Sequence, residues 1–442
     1  MRAIRRQIVV VLALVVAALA STSAVASAGE LPAKWDPRAV AVNREPGNTF
    51  LLRPGQILVG PGDAADVARV LKGWKPLEQH PYGITVFTRP TQNPADPARE
   101  VMATLATIRR ATANRPQGPA KVAPNHVFVG EASAINFMGE PRIQGGPGST
   151  VRQAAVPPAL PMRTTQTADG TGVKIAVLDT GMFEHEWLAG VQRAPGSNDT
   201  WDVESDGYGD DEAGHGTFIA GLISQVAPAA SVYAVKVLDS HGVGDDLNVA
   251  KAIEQLPADV DIINLSLGGY TDHDTPPMAV ATAMAAMGQQ QRVVVAAAGN
   301  HGKTRPFWPA AFEPVLAVGA AEDASGKWTR AAYSNYGPWV DATARGSNLE
   351  STFATAKTKI ALGAVVSPLD PWITFKGWAE WDGTSFATPI AAALVARTMT
   401  RSGLGSPADA QAELLANSPA APQPDFANAV LLDELEGKPG PS

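Results

Sequence analysis

The sequence predicts an α/β protein in which a small α+β domain precedes a three-layer α/β/α domain with a mostly parallel sheet. From Val173 onward, short runs alternate with helical patterns. These runs are apolar almost throughout, as strands are when both faces of a parallel sheet are covered. A shorter alternation of strands and helices occupies about 75 residues before position 131. A segment rich in Gly, Pro, Ser and Thr separates the two.

Length and composition exclude several classes of protein. The chain has 442 residues, enough for two or three domains. Its formal net charge of −8 argues against nucleic-acid binding, which requires a basic surface. Hydrophobic residues make up 45% and charged residues 18%, a balance that supports a large core rather than disorder. The absence of cysteine excludes disulfides, thiolate metal sites and a cysteine nucleophile.

The first 28 residues have the three parts of a secretory signal peptide. Arginines precede an apolar run at 8–20, and Ala-Ser-Ala at 26–28 has the A-x-A pattern of a cleavage site. The run is shorter than the ~20 residues that span a bilayer, which argues against a membrane anchor. We therefore expect residues 1–28 to be removed and the product to be secreted, without membrane contact. A monomer is the default expectation.

Residues 29–131 form the predicted first domain, whose folded α/β unit starts near residue 55. Apolar residues at helical spacing make the second helix of this unit the clearest element. The domain contains no recognisable catalytic cluster. Residues 132–164 are predicted to be a linker because Gly and Pro dominate them. In chain order, the unit's predicted strands and helices lie at 56–60, 63–73, 83–90, 97–113 and 126–130.

Residues 165–403 form the predicted second domain, and residues 404–442 form a tail with one helical stretch. Between 323 and 384 the sequence is interpreted as irregular, and a helix follows near Ser385. The other predicted strands lie at 173–181, 231–238, 262–269, 292–300 and 315–322, and the other helices begin near His215 or lie at 245–256 and 276–289.

Four polar residues stand where a parallel α/β domain places its reactive groups. Asp179 ends an apolar strand, and the carboxyl ends of such strands meet at one edge of the sheet. His215 lies between two glycines, and Asn300 ends another buried strand. Ser385 opens a helix, whose first turn offers free N–H groups to an anion. Taken singly, each has an ordinary interpretation as a turn residue or helix cap.

Together, the four segments resemble those of the subtilisin-like serine proteases, the subtilases. The resemblance rests on VLDTG around Asp179, GHGTFIAG around His215, AAAGN ending at Asn300 and GTSFATP around Ser385. It covers roughly residues 165–402. The order Asp, His, Ser is the one found in subtilisin.

The resemblance implies a serine endopeptidase that acts through an acyl-enzyme intermediate. Ser385 would be the nucleophile, His215 the general base and Asp179 the group that orients the imidazole. Asn300 and the backbone N–H of Ser385 would stabilise the oxyanion. The chemistry would need no cofactor. Structural calcium is common in the family, but no ligand set can be assigned to it here.

The resemblance also implies a groove that binds an extended peptide between two backbone edges. Small residues would line the pocket for the side chain before the scissile bond, which favours a broad apolar preference. The implied substrate-binding residues are Leu265, Ser266, Leu267 and Gly268 on one edge, Gly242 and Gly244 on the other, and Ala297, Ala298 and Gly299 in the pocket.

By the same resemblance, residues 29–131 would be an inhibitory propeptide whose closing strand is VAPNHVFVG at 122–130. The chain would then be a zymogen that cleaves itself within 131–165. Its partners would be peptide or protein substrates and its own propeptide. Two alternatives are a non-catalytic peptide-binding module of the same fold and an α/β-hydrolase esterase. The esterase requires G-x-S-x-G and the order Ser, Asp, His, which are absent.

Other functional motifs in the sequence are incomplete or absent. His185-Glu186 lacks the second histidine of HExxH, and no GxGxxG follows Asp179. The acidic stretch 202–213 has Ala213 where a calcium loop has its bidentate Glu. Two positions that are often histidine in relatives are Phe218 and Ile390. The stretch 345–381 contains Trp372, Trp378 and Trp381, which either wall the groove or form a structural cluster.

Overall fold

The structure is a computed structural model. The predicted signal peptide and nearly all of the predicted linker lie outside the residues that it describes. Within those residues, no helix combines the length and apolar character needed to cross a bilayer. The described residues are 40–79, 81–90, 92, 95–130, 152–153, 166–203, 205, 207–288, 292–359, 372–422, 425–426 and 429–432.

The first domain is an antiparallel sheet with two helices. The strand order is β5-β2-β4-β3, and β1 pairs with β2. Apolar residues of α2, such as Val101, Leu105 and Ile108, pack with Ile57 and Val59 of β2 to form its core. In chain order, the elements are β1 (Ala41–Asn43), β2 (Phe50–Val59), α1 (Ala64–Val70), β3 (Lys75–Gln79), β4 (Thr85–Thr88), α2 (Pro97–Ala111) and β5 (Val122–Gly130).

Two of these strands correct the sequence prediction. Strand β1 lies before residue 55, where the folded unit was predicted to start, and β3 follows a helix that was predicted to continue to residue 73. The helix ends at Val70 because Leu71 leaves the helical conformation, with ψ 80°, and Gly73, at φ +81°, then turns the chain before β3. Both missed strands are short, so their side-chain alternation is too brief to stand out in the sequence.

The second domain is built on a parallel sheet with the order β19-β16-β14-β13-β11-β7-β9-β8. Every neighbouring pair in this order is parallel, and only β15 joins β14 in the antiparallel sense. The strands are β7 (Lys174–Asp179), β8 (Gln192–Arg193), β9 (Ser231–Lys236), β11 (Ile262–Leu265), β13 (Val293–Ala297), β14 (Val315–Asp323), β15 (Trp328–Arg330), β16 (Ala342–Arg345) and β19 (Val430–Leu432).

Helices cover both faces of this sheet. In β7, Ile175 and Val177 face the core that contains α3 and α6, whereas Ala176 and Leu178 face the core that contains α4 and α5. This alternation confirms the predicted three-layer α/β/α class. The helices are α3 (His215–Val226), α4 (Asp246–Glu254), α5 (Met278–Met287), α6 (Thr384–Ser402) and α7 (Pro407–Asn417).

The interpretation of 323–384 as irregular is wrong, because a long antiparallel hairpin occupies much of it. Its strands are β17 (Leu349–Lys359) and β18 (Trp372–Trp381), and the short β6 (Arg152–Gln153) pairs with β18. In the sequence of β18, WITFKGWAEW, apolar and polar residues alternate only from Ile373 to Lys376, so the pattern with a period of two expected of a strand is brief. Strand β18 ends four residues before Ser385, so the hairpin adjoins the candidate site.

Two short strands of the second domain pair with the first domain rather than with the parallel sheet. Strand β5 lies antiparallel to β10 (Val243–Asp245) and to β12 (Leu267–Gly268). The strand predicted at 262–269 is therefore two strands, separated at Ser266, with different partners. This pairing makes β5 the link between the two domains.

Candidate active site

Asp179 and His215 meet at the carboxyl end of the parallel sheet. Asp179 is the last residue of β7, and His215 is the first residue of α3. His215 donates from Nδ1 to Asp179 Oδ1 at 2.7 Å, and both side chains are buried. The backbone N–H of Thr180 donates to the same carboxylate oxygen at 2.8 Å. Asp179 therefore fixes the ring so that Nε2 faces away from it.

The charge around His215 favours the imidazolium. Burial alone lowers the pKa of His215, but the carboxylates of Asp179 and Glu212 outweigh this effect and raise the pKa to about 9. Glu212 Oε2 lies 3.6 Å from His215 Nε2. Within the described residues, Nε2 has no hydrogen-bond partner. The two carboxylates therefore favour the protonated form of the imidazole in this arrangement.

Asp199 holds together the two segments that carry Asp179 and His215. Its Oδ2 accepts hydrogen bonds from Thr180 Oγ1 at 2.9 Å and from the backbone N–H of Gly214 at 2.8 Å. Ser240 Oγ donates to Oδ1 at 3.0 Å. Burial raises the pKa of Asp199. The sequence analysis missed this residue, whose neighbours in sequence, Asn198 and Thr200, resemble an ordinary polar turn.

Ser385 is the second residue of α6, and its hydroxyl points at a backbone carbonyl. Ser385 Oγ donates to the carbonyl oxygen of Ser266 at 3.0 Å. Ser266 Oγ donates in return to the carbonyl oxygen of Ser385 at 2.7 Å. The structure thus brings Ser385 to the peptide-binding edge but does not form its hydrogen bond to His215. Phe386, the next residue, contacts the His215 ring at 5.2 Å between centroids.

Asn300 adjoins the same helix end. Its Oδ1 accepts hydrogen bonds from the backbone N–H and from Oγ1 of Thr384, each at 2.9 Å. With its oxygen held in this way, the amide presents Nδ2 as its donor. Thr384 precedes Ser385 directly, so the amide donor and the first turn of α6 lie side by side. This is the arrangement that an oxyanion requires.

The predicted peptide-binding edges flank β5. Leu267 pairs with Gly130, and Gly268 pairs with Val129. On the other side, Gly244 pairs with Phe128, and the Gly130 N–H donates to the carbonyl oxygen of Gly242 at 2.8 Å. These two edges and β5 form one antiparallel sheet, and β5 lies where an extended peptide was expected.

The remaining predicted substrate residues lie deeper in the domain. Leu265 pairs with Ala296 inside the parallel sheet, so it does not contribute to the edge beside β5. Ala297 and Ala298 are buried at the end of β13. Gly299 has φ +98°, and a Cβ there would lie 2.4 Å from Asn335 Nδ2, so this position requires glycine. Their contact with substrate stays a prediction.

Among the tryptophans before Ser385, Trp381 has the structural role of the two suggested ones. Trp381 is buried, with its ring 5.6 Å from that of His215 and 5.8 Å from that of Phe218. This cluster packs behind the imidazole and supports it. Trp372, at the far end of β18, is half exposed and lies under Lys357 and Lys359. Phe218 and Ile390 are also buried in the core that contains α3 and α6.

Glu212 is the functional candidate that sequence reasoning did not single out, although it stands three residues before His215. An acidic residue in an acidic stretch suggests a solvated loop, yet Glu212 is fully buried. Only the fold brings it under the histidine. Among the described residues, no group of three or more His, Asp or Glu side chains is arranged to hold a metal ion.

The comparisons identify the family. Residues 170–432 match the model of the subtilase family, which is more than half of the chain. The chain therefore belongs to the subtilases, the subtilisin-like serine proteases. This confirms the resemblance drawn from the four segments.

Among curated proteins, a thermostable alkaline protease of Halalkalibacterium halodurans is 35% identical over 242 residues, 52% of this chain and 58% of the relative. Subtilisin BL of Lederbergia lenta is 34% identical over 240 residues, 51% of this chain and 76% of the relative. The chain thus spans less than two thirds of the first relative.

Among solved structures, fervidolysin of Fervidobacterium pennivorans, described as a keratinolytic enzyme related to subtilisin, has a TM-score of 0.60 and 20% identity. The match covers 94% of this chain and 65% of that one. At this identity the likeness supports the shared fold.

Proposed function

We propose that this protein is a secreted serine endopeptidase made as a self-processing zymogen. The observation that carries the proposal is the hydrogen bond between Asp179 and His215 beside the N-terminus of α6, where Ser385 and Asn300 also lie. Membership of the subtilase family supports the same chemistry. The reaction uses groups of the protein itself and needs no cofactor.

In the proposed reaction, Ser385 Oγ attacks the carbonyl carbon of a bound peptide. His215 Nε2 accepts the hydroxyl proton and later donates it to the leaving amine, while Asp179 stabilises the imidazolium. Asn300 Nδ2 and the Ser385 N–H stabilise the oxyanion. Water then hydrolyses the acyl-enzyme with His215 as its base. Before attack, Ser385 Oγ must leave the carbonyl of Ser266, which requires rotation about one side-chain bond.

Residues 29–131 act in this proposal as an inhibitory propeptide. Strand β5 fills the groove between Gly242–Gly244 and Leu267–Gly268, where a substrate would pair. Arg53 of the first domain donates from Nε to Asp245 Oδ2 at 2.9 Å, which adds a partly buried ion pair to the contact. This occupancy describes a resting form of the protein.

The register of β5 suggests where the zymogen is cut. Gly130 pairs with Leu267, so the next residue of a bound strand would pair with Ser266, whose carbonyl accepts from Ser385 Oγ. That residue is then the acyl donor. We propose that self-cleavage breaks the bond between Glu131 and Ala132, within the interval 131–165.

The decisive test is the replacement Ser385→Ala. The wild-type protein should degrade casein and be labelled at Ser385 by a fluorophosphonate, and its secreted form should begin at Ala132 by mass spectrometry. Ser385→Ala should lose both activity and labelling and remain uncut. Ser231→Ala is the matched control, because Ser231 is exposed at the opposite end of β9 from the site.

Three results would contradict the proposal. Full turnover in Ser385→Ala would exclude Ser385 as the nucleophile. A wild-type product that begins at residue 29 would exclude the propeptide. Peptide binding without labelling or turnover would instead support a non-catalytic binding module.

A further inference from the structure

Glu212 is a buried carboxylate in contact with the groove that β5 fills. Its side chain is 0% exposed, and Oε2 lies 3.6 Å from His215 Nε2. Its backbone is held on both sides, because the Glu212 N–H donates to Ser240 at 3.0 Å and its carbonyl accepts from the His215 N–H at 3.0 Å. The side chain is thus anchored at its base and directed between the histidine and β5.

The carboxylate of Glu212 takes up the space that a side chain at position 130 would need. A Cβ added to Gly130 would lie 3.0 Å from both Cδ and Oε2 of Glu212 and 3.3 Å from Oε1. On its other side, a Cβ added to Gly242 would lie 2.3 Å from Glu212 Cγ. Glu212 is therefore packed between two glycine backbones, and glycine at position 242 leaves the room that its side chain needs.

Position 130 corresponds to the second residue before the scissile bond. A strand bound in the register of β5 places its next residue opposite Ser266, beside Ser385 Oγ. The residue at the place of Gly130 is one before that acyl donor. Its side chain would point towards Glu212. Glu212 would therefore contact a substrate at this position.

We propose that Glu212 is a specificity-determining residue that selects glycine at the second position before the scissile bond and, among larger residues, favours Lys or Arg over Asp or Glu. A larger residue displaces the carboxylate towards the open end of the groove, which weakens its contact with His215. A basic side chain then donates a charge-assisted hydrogen bond to the displaced carboxylate, whereas an acidic one meets a like charge. This inference rests on the proposed function.

Four peptides that differ only at this position, with Gly, Ala, Lys or Glu, test the inference as ratios of kcat/KM within one enzyme. In the wild-type enzyme, Gly should exceed Ala by at least about tenfold, and Lys should exceed Glu by at least about tenfold. Such ratios do not depend on how much of the enzyme is active. Wild-type ratios near one at both comparisons would overturn the proposal.

Two variants separate the steric effect of Glu212 from its charge. Glu212→Gln keeps the shape and removes the charge, so Gly should still exceed Ala while the Lys-to-Glu ratio falls to about threefold or less. Glu212→Ala removes both, so both ratios should fall to that level. An unchanged Lys-to-Glu ratio in either variant, or an unchanged Gly-to-Ala ratio in Glu212→Ala, would overturn the assignment to Glu212.

The precursor provides a second readout that uses the wild-type Glu212. Gly130→Ala should slow self-cleavage by about tenfold, and Gly130→Glu should slow it further than Gly130→Lys. Equal rates for the three variants and the parent would also overturn the proposal. A wild-type enzyme that cleaves none of the four peptides and is not labelled by a fluorophosphonate would instead refute the proposed protease function.

Discussion

His126 should make the contact between the two domains sensitive to acid. It lies in β5, is 1% exposed, and its Nε2 accepts a hydrogen bond from the Asp272 N–H at 3.1 Å. Its ring contacts Phe50 at 5.3 Å. Burial lowers the pKa of His126 to about 4, although the Asp272 carboxylate opposes the shift. The folded protein therefore favours the neutral form of the His126 ring.

The direction and size of the effect follow from this shift. His126 binds a proton near pH 6.5 in the unfolded chain but only near pH 4 in the folded chain. The stability that the neutral ring contributes is therefore complete above about pH 6.5 and is lost as the pH falls towards 4. A shift of one pKa unit corresponds to about 1.4 kcal/mol, so the full loss is about 3 kcal/mol. At about pH 5, the loss should be roughly 2 kcal/mol.

The assay uses the full-length Ser385→Ala chain, which cannot process itself. Urea unfolding at about pH 7.5 and 5 should show a loss of stability that is roughly 2 kcal/mol larger than in the same chain with His126→Gln. Glutamine offers an amide oxygen to the Asp272 N–H but does not titrate in this range. An equal loss of stability in both chains would refute the reasoning.

Three further predictions concern the candidate active site and the proposed propeptide. Asn300→Ala should lower kcat by about 10²–10³ with little change in KM, as measured by steady-state kinetics; an unchanged kcat would contradict the oxyanion role. Asp199→Ala should lower the free energy of unfolding by about 1–3 kcal/mol, because Thr180 loses a buried acceptor; chemical unfolding at neutral pH measures this, and no change would contradict it. Arg53→Ala should shorten the lag before activity appears after cleavage by about tenfold, because Asp245 loses its ion pair with the proposed propeptide. An unchanged lag would show that the ion pair between Arg53 and Asp245 does not retain the proposed propeptide.

The sequence analysis was most successful where local pattern and chemistry coincide. The apolar run that ends at Asp179 predicted β7, and the Gly-Thr-Ser that opens α6 predicted where Ser385 stands. The three-layer class followed from strands that are apolar on both faces. The prediction that residues 323–384 are irregular was wrong at β17 and β18. The hairpin mixes Trp with Lys and Thr, and its brief alternation was not recognised in a stretch with Gly and Pro nearby.

The position of Glu212 shows what local reasoning does not reach. Its sequence neighbours are acidic or small and suggest exposure, yet the side chain is packed between Gly130 and Gly242. Gly130 is 82 residues earlier in the chain (212 − 130) and Gly242 is 30 later (242 − 212). Sequence periodicity does not predict such a contact, because the contact depends on how β5 enters the groove of the second domain.

The amino-acid sequence alone determined the class of fold and the family and predicted the reactive residues, because these depend on residue types and on patterns within single elements. Tertiary structure alone decided that β5 occupies the groove, that Ser385 bonds to Ser266 rather than His215, and that Glu212 faces the histidine. These are contacts between distant segments. Their geometry is set by packing and strand register across the whole chain, which local sequence does not encode.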